Sequence, residues 1–274
     1  MHRRSFLQAL SLPALTPLLG TLEKSPERLK RIGLQLYTVR GLMEKDMAGT
    51  LDMVAAVGYD EVEFAGYFDE APKRIRTLLD AAGLVAPSCH VPLADLTKHS
   101  ERTFDAAEVI GHRYIVMPWL DPEDRRSLDD YRRVAEALNR AGELAKARRL
   151  RVAYHNHDFE LAPIDGVLPY DLLLAETDPD LVWFEMDFYW VTRGGGNPLA
   201  YFKGHPGRFH LCHVKDMDRR GEIADVGAGR IDFGKILQRR AEAGLRHFFV
   251  EHDQPADPRA SIKTSYKFLR SLEV

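Results

Sequence analysis

The sequence contains little cysteine and has almost no excess charge of either sign. The 274 residues include only two cysteines, Cys89 and Cys212, which lie far apart, so a disulfide framework is not indicated. The 38 basic and 41 acidic residues give a net charge of −3 with neutral histidines, and the basic residues are scattered. A nucleic-acid surface requires clustered lysine and arginine, so we expect no nucleic-acid partner.

Long apolar runs are also missing. A membrane-spanning helix needs about 20 consecutive apolar residues, and the sequence contains no such stretch. The N-terminus nevertheless differs from the rest, because Arg3 and Arg4 precede a Phe-Leu pair and a modest apolar stretch over residues 9–20. This pattern resembles a twin-arginine export signal, which predicts a leader over residues 1–28 and an exported, periplasmic protein. The alternative is an N-terminal extension on a cytoplasmic protein.

From residue 31 onward, short β-rich runs alternate with helical patterns. Amphipathic spacing, as in Met47, Leu51, Val54 and Ala55, predicts helices that pack one face on a core. Several predicted helices end at a glycine just before the next strand: Gly58, Gly83, Gly111 and Gly244. We predict eight strands, over residues 32–39, 61–66, 85–92, 114–119, 152–159, 182–191, 209–217 and 247–253.

Eight strand–helix units predict parallel strands joined by right-handed crossovers. Such units can close into a (β/α)8 TIM barrel, and the length suits one barrel of about 250 residues plus a leader. We therefore predict a single α/β domain over residues 29–274. The alternative, an open doubly wound sheet, usually carries a glycine-rich phosphate loop after its first strand, and residues 36–41 do not form one.

Polar residues recur at the ends of the predicted strands, where the active sites of such barrels lie. Strand alternation places the members of several pairs on one face: His155 with His157, Glu185 with Asp187, His213 with Lys215, and Glu251 with Asp253. Buried carboxylates and imidazoles need partners, and one divalent cation satisfies several of them together. Mixed histidine and carboxylate ligands suit Mn, Fe, Co or Zn. The alternative is that each residue pairs with a neighbour or with solvent.

Six segments, taken in order, resemble the sugar phosphate isomerase/epimerase family of xylose-isomerase-like barrels: residues 32–40, 62–66, 154–158, 185–190, 213–216 and 250–253. The resemblance implies one divalent metal, most often Mn, held by Glu, Asp, His and Glu from the fifth to eighth strands. Carried over by position, the ligands are Asp187, His213 and Glu251. The first Glu falls on His155, which departs from the family pattern and is retained as the fourth ligand.

That departure bears on the chemistry that the resemblance implies. With His155 in place of a carboxylate, epimerisation by two opposed glutamates is disfavoured, whereas proton abstraction next to a carbonyl remains available. His157 is the first choice of base because imidazole titrates near neutrality, followed by Glu251 and then His90. The alternative for His157 is a hydrogen bond to the substrate or to a ligand. Lys215 is expected to stabilise an enolate oxygen or to pair with a neighbouring carboxylate.

Further residues near the strand ends are candidates for binding a carbohydrate. Sugar hydroxyls need paired donors and acceptors, and sugar rings pack on flat aromatic faces. The expected substrate contacts are Gln35, Tyr37, Glu63, His90, Trp119 and Trp190.

Two hypotheses about the reaction are compatible with this predicted site. The first is a metal-dependent isomerase or epimerase that acts on an unphosphorylated carbohydrate through an enolate. The second is a lyase or hydratase that eliminates a substituent from a 3-keto-glycoside with the same metal. A sugar-binding barrel without turnover would hold no metal. The endonuclease branch of the superfamily is disfavoured because its basic surface is missing from this slightly acidic chain.

Overall fold

The computed structural model describes residues 27–274. The predicted export signal therefore lies outside the described residues, except for its last two positions. Within residues 27–274, no helix combines the length and the apolar character needed to cross a membrane.

Eight parallel strands close into a barrel, in the order β1-β2-β3-β4-β5-β6-β7-β10 and back to β1. The barrel strands are β1 (Gly33–Gln35), β2 (Glu61–Ala65), β3 (Val85–His90), β4 (Tyr114–Met117), β5 (Arg151–His155), β6 (Val182–Asp187), β7 (Phe209–Val214) and β10 (His247–Val250). A separate antiparallel pair follows β7 and consists of β8 (Asp216–Met217) and β9 (Ile223–Ala224). The predicted single-domain (β/α)8 barrel is confirmed.

Helices cover the outside of the barrel. They are α1 (Arg40–Met43), α2 (Met47–Val57), α3 (Pro72–Ala82), α4 (Leu93–Thr97), α5 (Ser100–Ile110), α6 (Leu128–Ala147), α7 (Pro169–Glu176), α8 (Phe188–Arg193), α9 (Pro198–Gly204), α10 (Phe233–Leu237), α11 (Arg240–Ala243) and α12 (Pro258–Ser271). Glycines end α2, α3, α5 and α11 in the left-handed conformation that was predicted for them.

The barrel closes where β1 pairs with β10. Gly33 lies opposite Phe249 in this pairing. A Cβ atom on Gly33 would lie 2.3 Å from Cδ1 of Phe249, so only glycine lets this ring fill the interior beside the strand.

Two apolar layers result from strand alternation. Inside the barrel lie Tyr114, Val116, Ala153, Leu211 and Phe249. The larger layer lies between the strands and the helices. Since Ala153, Leu211 and Phe249 point inward, the residues two positions later, His155, His213 and Glu251, point to the same axis at its C-terminal end.

All eight barrel strands end earlier than predicted, and β1 and β6 show the physical reason. The chain leaves β1 after Gln35 and forms a 3-10 turn over Leu36–Val39, where the Gln35 side chain accepts a hydrogen bond from the amide of Tyr37. It leaves β6 at Asp187, whose carboxylate caps α8 by accepting from the amide of Trp190. The aromatic and β-branched residues after Asp187 favour a strand, and the cap overrides that preference.

Candidate metal centre

Four side chains from four neighbouring strands of the barrel converge at its C-terminal end. They are His155 at the end of β5, Asp187 at the end of β6, His213 in β7 and Glu251 after β10; their ligand atoms all lie within 4.8 Å of one another. Each residue is at most 5% exposed. The structure thus brings together all four residues that were predicted as metal ligands.

The distances within this cluster leave the carboxylate of Asp187 incompletely paired. Nε2 of His155 lies 3.1 Å from Nδ1 of His213 and 3.5 Å from Oδ2 of Asp187, and Nδ1 of His213 lies 2.8 Å from Oε2 of Glu251. Oδ2 of Asp187 is buried and makes no hydrogen bond among the described residues, although Nζ of Lys215 lies 3.1 Å away as an ion-pair partner. A buried carboxylate oxygen without a hydrogen bond is costly, and a bound divalent cation would reduce that cost further. The donor set therefore fits a divalent metal such as Mn, Fe, Co or Zn.

Lys215 lies beside this cluster as a buried cation. Its Nζ is 2.7 Å from Oε2 of Glu251, 2.7 Å from Oδ1 of Asp253 and 3.1 Å from Oδ2 of Asp187. Burial by itself would lower the pKa of Lys215, but the three carboxylates outweigh it and hold this pKa well above its usual value. The side chain is therefore an ammonium, which can stabilise negative charge on an oxygen next to the cluster.

His157 faces the cavity two residues beyond His155. Burial, with the nearby His155 and Lys215, holds the pKa of His157 well below its usual value. Its Nδ1 is buried and has no partner among the described residues. A neutral imidazole with an unpaired nitrogen can accept a proton, so His157 stays the predicted base.

His90 also reaches the cavity, in a more acidic environment. Its Nε2 lies 2.7 Å from Oε2 of Glu185 and 3.2 Å from Oε2 of Glu63. Burial opposes the charge on this ring, but among the side chains alone Glu63 and Glu185 raise the pKa of His90 to about 9. A ring that already carries its proton is a weaker candidate base than His157.

Gln35 and Glu63 lie beneath the cavity and are fully buried. The amide of Gln35 donates to Oε2 of Glu63 at 2.7 Å, and Nε2 of His213 lies 2.8 Å from the same oxygen. Neither side chain lines the cavity, so the structure does not bring them to the place predicted for sugar contacts. Instead Glu63 orients the His213 ring, whose Nδ1 then faces the cluster.

A cavity of about 1180 Å³ opens above the cluster. The residues predicted to contact substrate that line it are Tyr37, His90, Trp119 and Trp190. Trp119 is 45% exposed, and the buried Nε1 of Trp190 has no hydrogen-bond partner among the described residues. Charged residues of both signs share the wall: Lys98, Asp121, Asp124, Arg125, Asp158, Arg193, Lys215, Glu251 and Asp253.

Glu160 was not predicted from the sequence, yet it holds the segment that carries His157. One oxygen of its fully buried carboxyl accepts from the amide of His157 at 2.8 Å, and the other accepts from the hydroxyl of Tyr154 in β5. Burial raises the pKa of Glu160 to about 7. The sequence signal that could have found it is its position three residues after His157, which lets a side chain reach back to a turn amide.

Comparisons with known proteins agree with this fold. The sequence profile described as "Xylose isomerase-like TIM barrel" matches residues 51–272. An inosose dehydratase from Lacticaseibacillus casei is 24% identical over 238 residues, which cover 73% of this chain and 79% of the relative.

Two solved structures share the fold. A sugar phosphate isomerase/epimerase from Parabacteroides distasonis superimposes with a TM-score of 0.77 at 27% identity, covering 95% of this chain and 98% of the other. A protein named IolI, whose crystal structure contains a zinc atom, superimposes with a TM-score of 0.70 at 15% identity, covering 86% and 95%. With the profile matching most of its length, this chain belongs to the xylose isomerase-like TIM barrel family.

Proposed function

We propose that this protein is a divalent-metal-dependent enzyme that removes a proton next to a carbonyl of an unphosphorylated, ring-shaped carbohydrate. The observation that carries this proposal is the buried cluster of His155, Asp187, His213 and Glu251 at the floor of the cavity, in which Oδ2 of Asp187 makes no hydrogen bond to the described residues. The names of the relatives, an inosose dehydratase and a sugar phosphate isomerase/epimerase, support a carbohydrate-type substrate. The choice of an unphosphorylated substrate rests on the predicted export signal, because sugar phosphates are mainly intracellular.

A divalent metal held by His155, Asp187, His213 and Glu251 would supply a Lewis acid for the substrate carbonyl. The imidazole of His157 takes the proton from the neighbouring carbon, since it is neutral and borders the cavity. The ammonium of Lys215 stabilises the negative charge that develops on the enolate oxygen. Glu251 pairs with Lys215 and remains the second choice of base.

The fate of the enolate distinguishes two outcomes. In an elimination, the electron pair forms a carbon–carbon double bond, the next carbon–oxygen bond breaks, and the leaving oxygen departs after gaining a proton. In an isomerisation or epimerisation, the proton returns to the substrate and no bond to oxygen is lost. The dehydratase relative and the histidine at position 155 favour a lyase, as on a 3-keto-glycoside; the isomerase/epimerase structure favours the other outcome.

The test is proton exchange in heavy water, followed by NMR, with the purified protein and Mn²⁺. The panel should contain free sugars, cyclitol ketones and 3-keto-glycosides. Deuterium uptake with release of water or alcohol identifies a lyase, and uptake with a rearranged sugar identifies an isomerase. The absence of exchange with every ring ketone, with Mn²⁺, Co²⁺ or Zn²⁺ present, would refute the proposal.

We also propose that residues 1–28 direct export. A reporter fused to these residues should leave the cytoplasm only when Arg3 and Arg4 are intact. Export of a fusion with both arginines replaced by lysine would contradict this assignment.

A further inference from the structure

A second cluster of ligand-type side chains lies on the other side of the His213 ring. It consists of Glu63 in β2, His90 in β3, Glu185 in β6 and Nε2 of His213, and its ligand atoms also lie within 4.8 Å of one another. We propose that these four residues form a second divalent-cation site, distinct from the cluster at the cavity floor.

Unpaired carboxylate oxygens support this site. Glu63 and Glu185 are both 0% exposed. Oε2 of each carboxylate contacts the imidazoles of His90 and His213, whereas Oε1 of each is buried without a hydrogen-bond partner among the described residues. Two orphaned anionic oxygens in one buried cluster are expensive unless a cation or proton joins them.

The charge balance points the same way. Among the described residues, the imidazoles of His90 and His213 are the only basic groups within ion-pair distance of Glu63 and Glu185, and no lysine or arginine contacts either carboxylate. Binding of an ion here would displace the proton that Nε2 of His213 donates to Glu63, and Glu63 and Glu185 have no lysine or arginine partner to balance their two charges. A second divalent cation balances both.

The geometry accommodates such an ion. The nitrogen–oxygen distances around the cluster are 2.7 Å, 2.8 Å, 3.2 Å and 3.3 Å. A tetrahedral cation with bonds of about 2.1 Å separates its ligands by about 3.4 Å, so the side chains would spread by at most about 0.7 Å. His90 lines the cavity, which provides an entry path.

The alternative is a hydrogen-bonded cluster in which a shared proton takes the place of the ion. The two cases differ in the number of metals bound, so the test is metal stoichiometry. The full chain is dialysed against Mn²⁺, and the metal per chain is measured by mass spectrometry. The wild type should bind two ions.

The decisive variant is Asp187→Asn with Glu251→Gln, because it disables the first cluster and spares the second. It should retain one ion, and adding His90→Gln should weaken the binding of that ion by at least about tenfold. Glu160→Gln is a matched control, since it removes a buried carboxylate outside both clusters; it should retain two ions.

No ion in the Asp187→Asn, Glu251→Gln variant, with one ion in the wild type, would overturn the second site. Circular dichroism checks the folding of each variant. Anomalous diffraction from wild-type crystals grown with Mn²⁺ needs no variant and should show a peak between Glu63 and Glu185. A missing peak there also overturns the proposal. These readouts are independent of turnover, so they separate a failure of this site from a failure of the proposed function.

Discussion

The two ends of this barrel use the same residue types for different purposes. At the N-terminal end, Nδ1 of His210 is 3.0 Å from the hydroxyl of Tyr114, and Nδ1 of His247 is 2.8 Å from Oε2 of Glu61. At the C-terminal end, Asp187 and His157 carry buried atoms without hydrogen bonds, but so does His112 just before β4 at the N-terminal end. Neither a histidine nor one unbonded atom is therefore diagnostic by itself; the diagnostic feature is the convergence of several ligand-type side chains at the floor of one cavity.

The largest expected effect is at the C-terminal end, from Asp187→Asn. The amide can still cap α8 but cannot supply the charge that holds a cation. We expect loss of metal from the first cluster and a fall in kcat/KM of about 1000-fold, which corresponds to about 4 kcal/mol of transition-state stabilisation. Metal analysis and steady-state kinetics measure both. Unchanged activity in a variant that has lost the metal of the first cluster would contradict a catalytic role for the C-terminal end.

A somewhat smaller effect is expected from His157→Gln. Loss of a general base lowers kcat by about 100-fold or more, whereas the metal content should not change. Single-turnover kinetics and metal analysis on the same sample provide the measurement. If this variant loses the metal instead, the roles assigned to His155 and His157 are interchanged.

At the N-terminal end, Tyr114→Phe should affect stability and not catalysis. Loss of the hydrogen bond to His210 should lower the free energy of unfolding by about 1 kcal/mol. Denaturant titration gives this value, and kcat/KM should stay within about twofold of wild type. A large loss of activity with normal stability would mean that this end takes part in function.

The smallest effect is a change in pH dependence at His210. Burial, together with Arg246 and Arg151, lowers the pKa of His210 to about 3. The unfolded chain takes up this proton below a pH of about 6.5, so His210 makes stability fall as the pH drops from about 6.5 to about 3. His210→Gln should make that decline shallower in denaturation curves. An identical slope would indicate that the folded protein protonates His210 readily.

The sequence is sufficient to predict the barrel because each strand–helix unit carries its own periodicity. It also predicts the first cluster, because alternation along parallel strands places His155, Asp187, His213 and Glu251 on one face. It does not distinguish the roles of His210 and His213, which are three residues apart in β7. His210 lies near the start of the strand and His213 near its end, at the metal cluster. The position of a residue along its strand decides which end of the barrel its side chain occupies. Strand boundaries predicted from the sequence are too imprecise to give that position.

Contacts between segments that are distant along the chain could not be predicted from the sequence. Glu63 was expected at a sugar, but its pairing with His213 spans 150 positions along the chain. The burial of Glu160 behind β5 likewise depends on how the turn after that strand folds back. Both contacts depend on the packed barrel, which local patterns do not describe.

Asp187 divides its two oxygens between two tasks. Oδ1 accepts the amide of Trp190 at the start of α8, and Oδ2 faces the cluster. Any shift of this carboxylate on ion binding is therefore transmitted to the first turn of α8, which carries the Trp190 ring into the cavity wall. Binding of the proposed ion would thus be coupled to the shape of the cavity wall through one side chain, and removal of the ion should alter tryptophan fluorescence before any substrate is added.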